Sequence, residues 1–163
     1  MPSESELRRH RCCFTGHRPE KLTRSEAEIR LDLAHEILQA IDEGYTVFIS
    51  GMARGVDQWA AEIVLQLRKK NKAIKLICAI PYKGVESRWS FKDQRAYRSI
   101  LSKADYIQTI DSEYSPDIFQ IRNEWMVNRS SKLIAVYNGY PSGTRNTINY
   151  AMRQGIVISR IQG

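Results

Sequence analysis

Long hydrophobic runs are missing from the 163-residue sequence, and cysteine is scarce. No apolar stretch approaches the roughly 20 residues that a membrane-spanning helix requires, so we expect no membrane partner. The three cysteines include no CxxC pair and are odd in number, which argues against a zinc site and a disulfide framework. No apolar segment precedes the first predicted strand, so the N-terminal residues do not have the pattern of a secretory signal. We expect a cytoplasmic protein without a metal or a cofactor.

Internal repeats, low-complexity segments and Pro/Gly linkers are also missing, and the length suits one domain. We therefore expect a single domain over residues 1–163, with residues 1–10 as a flexible N-terminal extension. The net charge of +7 favours anionic partners such as nucleotides or nucleic acid. The excess of positive charge has an alternative explanation. The basic residues around Arg8–Arg11 and Arg68–Lys72 would then simply be solvated at the edges of helices and strands.

Short apolar runs alternate with amphipathic segments along the chain. The predicted strands cover residues 12–15, 45–50, 74–80, 106–110, 132–137 and 156–158. The predicted helices cover residues 25–43, 56–70, 86–103, 116–127 and 144–154. Most of the apolar runs are continuous, as in strands that are buried on both faces. This alternation predicts an α/β fold in three layers, with a mainly parallel central sheet flanked by helices.

A glycine-rich segment, Gly51–Asp57, follows the second predicted strand and opens a helix; we call it the first glycine loop. Free N–H groups at a helix N-terminus bind phosphate, and Ala53, Arg54 and Gly55 lie at this junction. Asp57 would compete with a phosphate for those donors, so we favour a helix cap or a ribose contact over a general base. The spacing matches neither GxGxxG nor GxxxxGK[ST], and a tight turn explains the same glycines.

A second small-residue segment follows the fifth predicted strand and also opens a helix. This second glycine loop contains Asn138, Gly139, Ser142, Gly143 and Thr144, and either hydroxyl side chain is a candidate cap. Ligands of parallel sheets bind beyond the carboxyl ends of the strands. We therefore expect the two glycine loops, on neighbouring strands, to converge on one crevice.

The first predicted strand ends in Thr15, Gly16, His17 and Arg18. Gly16 permits a sharp turn or a close approach of the backbone to a ligand. The guanidinium of Arg18 offers several donors that match a phosphate. A Thr-Gly turn with an exposed His-Arg pair is the alternative.

Three more candidates lie after the third strand and in the fourth helical segment. Tyr82 either stacks on a flat ring or covers the sheet edge. Arg122 and Asn123 lie in the helical segment, and Asn123 is a second candidate for contact with a ribose. Trp89 and Tyr97 interleave with arginines, as on surfaces that bind single strands. An amphipathic helix with arginines extending to solvent explains that pattern too.

Four stretches of the sequence resemble the YpsA-like family of the SLOG superfamily. They are CCFTGHRPEKL, which is the most specific, FISGMARGVDQWAAE, IRNEWMVNRSSKLIAVYNG and SGTRNTINYAMRQG. That superfamily includes the LOG phosphoribohydrolases and the DprA DNA-processing proteins. The resemblance implies a Rossmann-like fold and a nucleotide-type ligand. It also implies that both glycine loops line the site, with Thr15–Arg18 and Arg122–Asn123 nearby.

One departure from the LOG enzymes concerns catalysis. Their PGGxGTxxE motif corresponds here to PSGTRNTIN, in which Asn146 and Asn149 stand where a carboxylate would be sought. Hydrolysis of an N-glycosidic bond needs a positioned acid or base, and only Asp57, His17 and Glu62 are available. We therefore assign no catalytic residue.

These observations favour a domain that binds or senses a nucleoside phosphate or an ADP-ribose-type ligand. Two alternatives remain open. One is a LOG-like phosphoribohydrolase, and the other is DprA-like binding of single-stranded nucleic acid. The sequence leaves homo-oligomer formation open.

Overall fold

A six-stranded parallel sheet with helices on both faces forms the core of the molecule. The computed structural model describes all of residues 1–163. The strands are β1 (Arg11–Gly16), β2 (Val47–Ser50), β3 (Lys75–Tyr82), β4 (Tyr106–Asp111), β5 (Lys132–Tyr137) and β6 (Val157–Gln162). The helices are α1 (Glu4–Arg8), α2 (Glu26–Asp42), α3 (Val56–Lys70), α4 (Phe91–Lys103), α5 (Ile118–Asn128) and α6 (Gly143–Gln154). The predicted three-layer α/β fold is confirmed, and the arrangement is Rossmann-like.

The four inner strands, β3, β2, β1 and β5, are largely buried on both faces, which explains their continuous apolar runs. Phe14 of β1 and Leu33 of α2 belong to the larger apolar core, which also includes residues of α3 and α4. Leu133 of β5 and Met126 of α5 belong to a second core on the opposite face, which α6 completes. All three cysteines are buried free thiols. None of the helices has the length and apolar character needed to cross a membrane.

Two helices, α4 and α5, begin more than one residue later than predicted. Ser90 accepts a hydrogen bond from the N–H of Asp93 at 3.1 Å, so α4 begins at Phe91, and a 3-10 turn precedes it. Helix α5 begins at Ile118, two residues later than predicted. Helix α1 was not predicted, and its side chains are exposed. It begins with a reciprocal cap between Ser3 and Glu6.

The strand order β4-β3-β2-β1-β5-β6 corrects one expectation about the glycine loops. The loops follow β2 and β5, which are not neighbours, because β1 lies between them. The connections run in one direction from β1 to β4 and then return to β5. Such a reversal leaves a crevice at the carboxyl end of the sheet.

Close backbone packing joins the segment after β1 to the first glycine loop. A Cβ atom added at Gly16 would lie 2.5 Å from the Cβ of Val56, the first residue of α3. A Cβ atom at Gly55 would lie 2.8 Å from the ring of Pro19. Gly55 also has a φ of 90°, which glycine adopts without strain. These glycines therefore allow two loops to interlock beside the crevice.

We predict that Gly16→Ala lowers the free energy of unfolding by about 1–3 kcal/mol, the usual cost of overpacking. Gly143→Ala is the matched control, because no atom lies within 4 Å of its added Cβ. Urea unfolding of both variants measures the difference. Equal stabilities for the two variants would show that the contact between Gly16 and Val56 relaxes freely.

Candidate functional site

A cleft of about 1060 Å³ opens at the carboxyl edge of the sheet, over the reversal point between β1 and β5. Both glycine loops line it, so the expected convergence is present in the fold. The predicted residues that line the cleft are Thr15, Gly16, His17, Arg18, Gly51, Ala53, Arg54, Asp57, Tyr82, Arg122, Asn123, Asn138, Ser142, Gly143 and Thr144.

Gly55 and Gly139 are the predicted site residues that do not line the cleft. Both have positive φ angles, 90° at Gly55 and 92° at Gly139. Gly55 occupies the N-cap position of α3 and packs on Pro19. These two glycines shape their loops and do not face a ligand.

Sequence reasoning missed several residues of the cleft wall. They are Glu20, Lys21, Thr23, Met52, Pro81, Val85, Trp89, Phe119, Tyr140 and Pro141. Met52, Tyr140 and Pro141 lie inside the two glycine loops, and Pro81 adjoins Tyr82, so position alone could have indicated them. Lys21 and Phe119 lie away from the strand ends, and no sequence pattern marks them.

Side-chain hydrogen bonds hold the first glycine loop in a single conformation. The hydroxyl of Ser50 accepts from the N–H of Met52 at 3.2 Å and donates to the carbonyl of Asp57 at 2.8 Å. The amide of Gln58 donates to the carbonyl of Met52 at 3.2 Å. Met52 has a φ of 63°, which is rare for a residue other than glycine. The N–H groups of Gly51 and Arg54 have no acceptor within the protein.

Only one of the two carboxyl oxygens of Asp57 has a hydrogen-bond partner. Its Oδ2 accepts from the N–H of Ala53 at 3.2 Å, while its Oδ1 is buried without a hydrogen-bond partner. The expected helix cap is not formed, because Gly55 occupies the N-cap of α3 and Ala53 lies outside the helix. Burial raises the pKa of Asp57 to about 6, although the charge of Arg122 and the amide of Ala53 oppose the shift.

Arg122 links α5 to the first glycine loop. Its side chain is 5% exposed, and its Nη1 donates to the carbonyl oxygen of Gly51 at 2.6 Å. Its Nε donates to Oδ1 of Asn123 at 2.8 Å. The absence of a side chain at Gly51 makes room, since a Cβ there would lie 3.0 Å from the guanidinium. Arg122 therefore supports the loop from within the wall of the cleft.

His17 and Asn138 join the segment after β1 to the second glycine loop. His17 is buried, and its Nε2 accepts from the backbone N–H of Asn138 at 3.1 Å. Burial lowers the pKa of His17, so the ring is neutral near pH 7. The side chain of Asn138 donates to the carbonyl of Lys21 at 2.9 Å and accepts from the N–H of Tyr140 at 2.9 Å. Both side chains thus form hydrogen bonds that join the loops, and the alternative of an exposed His-Arg pair does not hold, because His17 is buried although Arg18 is exposed.

Ser142, and not Thr144, caps α6. Its hydroxyl accepts from the N–H of Arg145 at 3.2 Å. The N–H groups of Gly143 and Thr144 have no acceptor within the protein, and the first turn of α6 contains no acidic residue. The positive end of this helix therefore faces the cleft without a competing carboxylate.

The two arginines expected to reach a phosphate differ in their surroundings. Arg54 forms ion pairs with Glu20 at 2.6 Å and with Asp93 at 3.9 Å. Arg18 is exposed, lines the cleft and forms no ion pair. The structure therefore favours Arg18 as the available cation.

Aromatic side chains form the wall of the cleft beside β3. Tyr82 makes edge-to-face contacts with Tyr114 at 6.0 Å and with Phe119 at 6.3 Å between ring centroids. Tyr114 and Phe119 are 60% and 40% exposed. Tyr82 and Phe119 line the cleft, and we call these two residues the aromatic wall. Trp89 and Tyr97 do not extend it as a basic-aromatic surface, because they pack edge-to-face at 5.2 Å and Tyr97 is buried.

Comparison with known proteins gives one family and several relatives. The model described as the YspA SLOG family matches residues 12–156. The SPbeta prophage-derived protein YoqJ of Bacillus subtilis (strain 168) is 37% identical over an alignment of 140 residues, and the match covers 76% of this chain and 82% of that protein.

Two solved structures of DNA processing protein A (DprA) share the fold. The Streptococcus pneumoniae protein gives a TM-score of 0.65 at 20% identity, over 96% of this chain and 52% of that chain. The structure of the Helicobacter pylori protein is described for its single-stranded DNA binding mode. It gives a TM-score of 0.64 at 18% identity, over 94% of this chain and 65% of that chain. This chain thus spans about half to two thirds of the DprA chains, and at these identities the likeness shows the fold alone.

We predict that the wild-type protein loses stability relative to Asp57→Asn as the pH rises from 4 to 7. The pKa of Asp57 is about 6 in the folded protein against an ordinary value of 3.8, so in this window the folded state binds more protons than the unfolded state. Rising pH therefore removes stability, by up to about 3 kcal/mol at ~1.4 kcal/mol per unit.

Urea unfolding of both proteins at several pH values measures this difference. Comparison with Asp57→Asn cancels the contributions of all other titrating groups. A difference in unfolding free energy that does not change with pH would contradict the burial of an ionisable Asp57.

Proposed function

The chain belongs to the YspA SLOG family, and we propose that its cleft binds a nucleotide or a nucleotide derivative, of the nucleoside phosphate or ADP-ribose type. One observation carries the proposal. Gly51 and Arg54 in the first glycine loop, and Gly143 and Thr144 in the second, line the same cleft with N–H groups that have no acceptor. Amides in the first turn of a helix, such as those of Gly143 and Thr144 in α6, are suited to phosphate oxygens.

The charge in the cleft supports an anionic ligand. Arg18 and Lys21 line the cleft and form no ion pair, whereas the charge of Glu20 is neutralised by Arg54. Asp57 is the remaining carboxylate of the wall, and it lies at α3 and away from α6. We therefore place a phosphate at the start of α6, close to Arg18, where charge-assisted hydrogen bonds are strong.

The size and the far wall of the cleft support a ligand with an aromatic group. Its volume of about 1060 Å³ lies at the upper end of the ~300–1,000 Å³ of small-molecule sites. Along the sheet edge, β1 and β2 separate the second glycine loop from the aromatic wall at β3. A nucleotide whose phosphate lies at α6 would point its base toward Tyr82 and Phe119, which offer ring surfaces for stacking.

We predict that AMP, ADP or ADP-ribose raises the melting temperature of the protein, and that Arg18→Ala weakens this binding by about tenfold. The loss corresponds to one charge-assisted hydrogen bond, at ~1.4 kcal/mol per factor of ten. A ligand at 100 times its Kd stabilises a protein by about 2.7 kcal/mol, which a thermal-shift assay detects.

Arg153→Ala is the matched control for Arg18→Ala, because Arg153 is exposed near the end of α6, remote from its N-terminus, and does not line the cleft. It should bind nucleotides as the wild type does. Unchanged melting temperatures with all three ligands would exclude the proposed function.

Hydrolysis of an N-glycosidic bond is a second candidate, and Asp57 is the observation that favours it. Its pKa of about 6 suits a general base, and it lines the cleft. Asn146 and Asn149, by contrast, are exposed and lie outside the cleft wall. In this reaction water adds to the C1′ of ribose 5-phosphate and gives its proton to Asp57. The C1′–N bond breaks, and the base leaves with the bonding electrons and a proton.

We predict that, if this candidate is right, AMP releases free adenine and Asp57→Asn reduces the release at least 100-fold, since a positioned base contributes about 10²–10⁴ in rate. Chromatography of the products at high protein concentration measures it. If no adenine is released, the hydrolysis candidate is excluded and nucleotide binding without catalysis remains.

Single-stranded DNA binding, which is described for the H. pylori DprA, receives less support in this chain. The candidate stacking residues Trp89 and Tyr97 pack on each other, and Tyr97 is buried. Electrostatic binding to DNA would weaken steeply with added salt, whereas binding of a small ligand in the cleft would weaken less.

A further inference from the structure

The cleft wall contains a hydrogen-bond acceptor and a hydrogen-bond donor that have no partner within the protein. The acceptor is Asp57, which is 5% exposed and whose Oδ1 has no partner in the protein. A buried carboxyl oxygen without a hydrogen bond costs stability, so a site that keeps one requires a specific reason. Asp57 lines the cleft, so a ligand hydroxyl that reaches this buried oxygen would supply the missing donor.

The donor is the side-chain amide of Asn123. Arginine has only donors, so the amide atom that meets the Nε of Arg122 at 2.8 Å must be the oxygen of Asn123. This bond fixes the orientation of the amide group, and its NH₂ group forms no hydrogen bond within the protein. Asn123 lines the cleft, so this NH₂ group is a donor reserved for a ligand.

Arg122 sets the relation between the two groups. It is bonded to Asn123 and to the carbonyl of Gly51, and its charge acts on Asp57. An acceptor and a donor that both interact with one buried guanidinium would match two adjacent hydroxyl groups, one donating to Asp57 and the other accepting from Asn123. Within a nucleotide, the 2′- and 3′-hydroxyls of ribose have this chemistry.

The position of the pair along the sheet edge agrees with a ribose. The second glycine loop follows β5, the first glycine loop with Asp57 follows β2, and Tyr82 ends β3. Since the sheet order is β3-β2-β1-β5, Asp57 lies between the proposed phosphate position and the aromatic wall. A ribose lies between the phosphate and the base of a nucleotide in the same way.

We infer that Asp57 and Asn123 together bind the free 2′,3′-diol of a ribose, so that the cleft selects ribonucleotides and rejects deoxyribonucleotides. This inference rests on the proposed function and narrows its substrate class. This selectivity distinguishes the cleft from a DNA-binding site. The deoxyribose of DNA lacks the 2′-hydroxyl, and its 3′-oxygen is part of the phosphodiester linkage.

The test is calorimetric titration with ADP, 2′-deoxy-ADP and 3′-deoxy-ADP at pH 8. We expect the wild-type protein to bind ADP roughly 10- to 100-fold more tightly than either deoxy ligand, as for one hydrogen bond to a charged group. Asp57→Asn should bind ADP and one of the two deoxy ligands within about threefold of each other, because the carboxylate accepts from only one of the hydroxyls. Asn123→Ala should lose selectivity mainly for one of the two hydroxyls.

Asp93→Asn is the matched control, because this carboxylate lies on α4 outside the cleft wall and also approaches an arginine. It should keep the wild-type selectivity. A pH series gives a readout that a purely structural role of Asp57 would not move. The ratio of ADP to 2′-deoxy-ADP affinity should fall between pH 8 and pH 5, since burial raises the pKa of Asp57 to about 6 and the phosphate titration cancels in the ratio.

The outcomes separate the inference from the function on which it rests. Equal affinities for the three ligands in the wild type, or a selectivity that Asp57→Asn leaves intact, would overturn the inference and leave nucleotide binding standing. Failure to bind any of these ligands would remove the function and the inference together.

Discussion

The hydrogen bond from Arg122 to the carbonyl oxygen of Gly51, 2.6 Å long, is the contact on which the cleft depends. It joins α5 to the first glycine loop, although these elements lie 71 residues apart in the chain. Burying a guanidinium carries a large desolvation cost, which hydrogen bonds and a nearby opposite charge only partly offset. Asp57 supplies that charge but keeps one oxygen unpartnered. The cleft wall therefore contains a polar group that the protein itself does not satisfy.

Packing around β1 gives the cleft its shape. Because β1 lies between β2 and β5, the segment after it touches both glycine loops. Gly16 lets Val56 approach on one side, while His17 accepts from the amide of Asn138 on the other. The loops are thus positioned before a ligand binds, and little ordering remains to oppose binding. In the proposed function, a ligand would bind the amides that secondary structure leaves without acceptors.

Continuous apolar runs and amphipathic periods were sufficient to predict the layers of the fold and the six strands. Local signals also placed most of the cleft residues at strand ends. The sequence could not show that β1 separates the two glycine loops, because strand order depends on contacts between distant segments. Nor could it show that Asn138 and His17 bind each other, or that Gly55 accommodates Pro19. The family resemblance, which was confirmed, implied a ligand site but not the unpartnered oxygen of Asp57.

The most direct test of the central claim observes the backbone amides themselves. In a titration of ¹⁵N-labelled protein with ADP, followed by heteronuclear NMR, the account predicts that the amides of Gly51, Arg54, Gly143 and Thr144 shift together along one binding curve. Amides on the opposite edge of the sheet, such as that of Lys72, should stay unchanged. Shifts confined to one glycine loop, or located on a surface remote from both, would contradict the claim that the two loops hold one ligand.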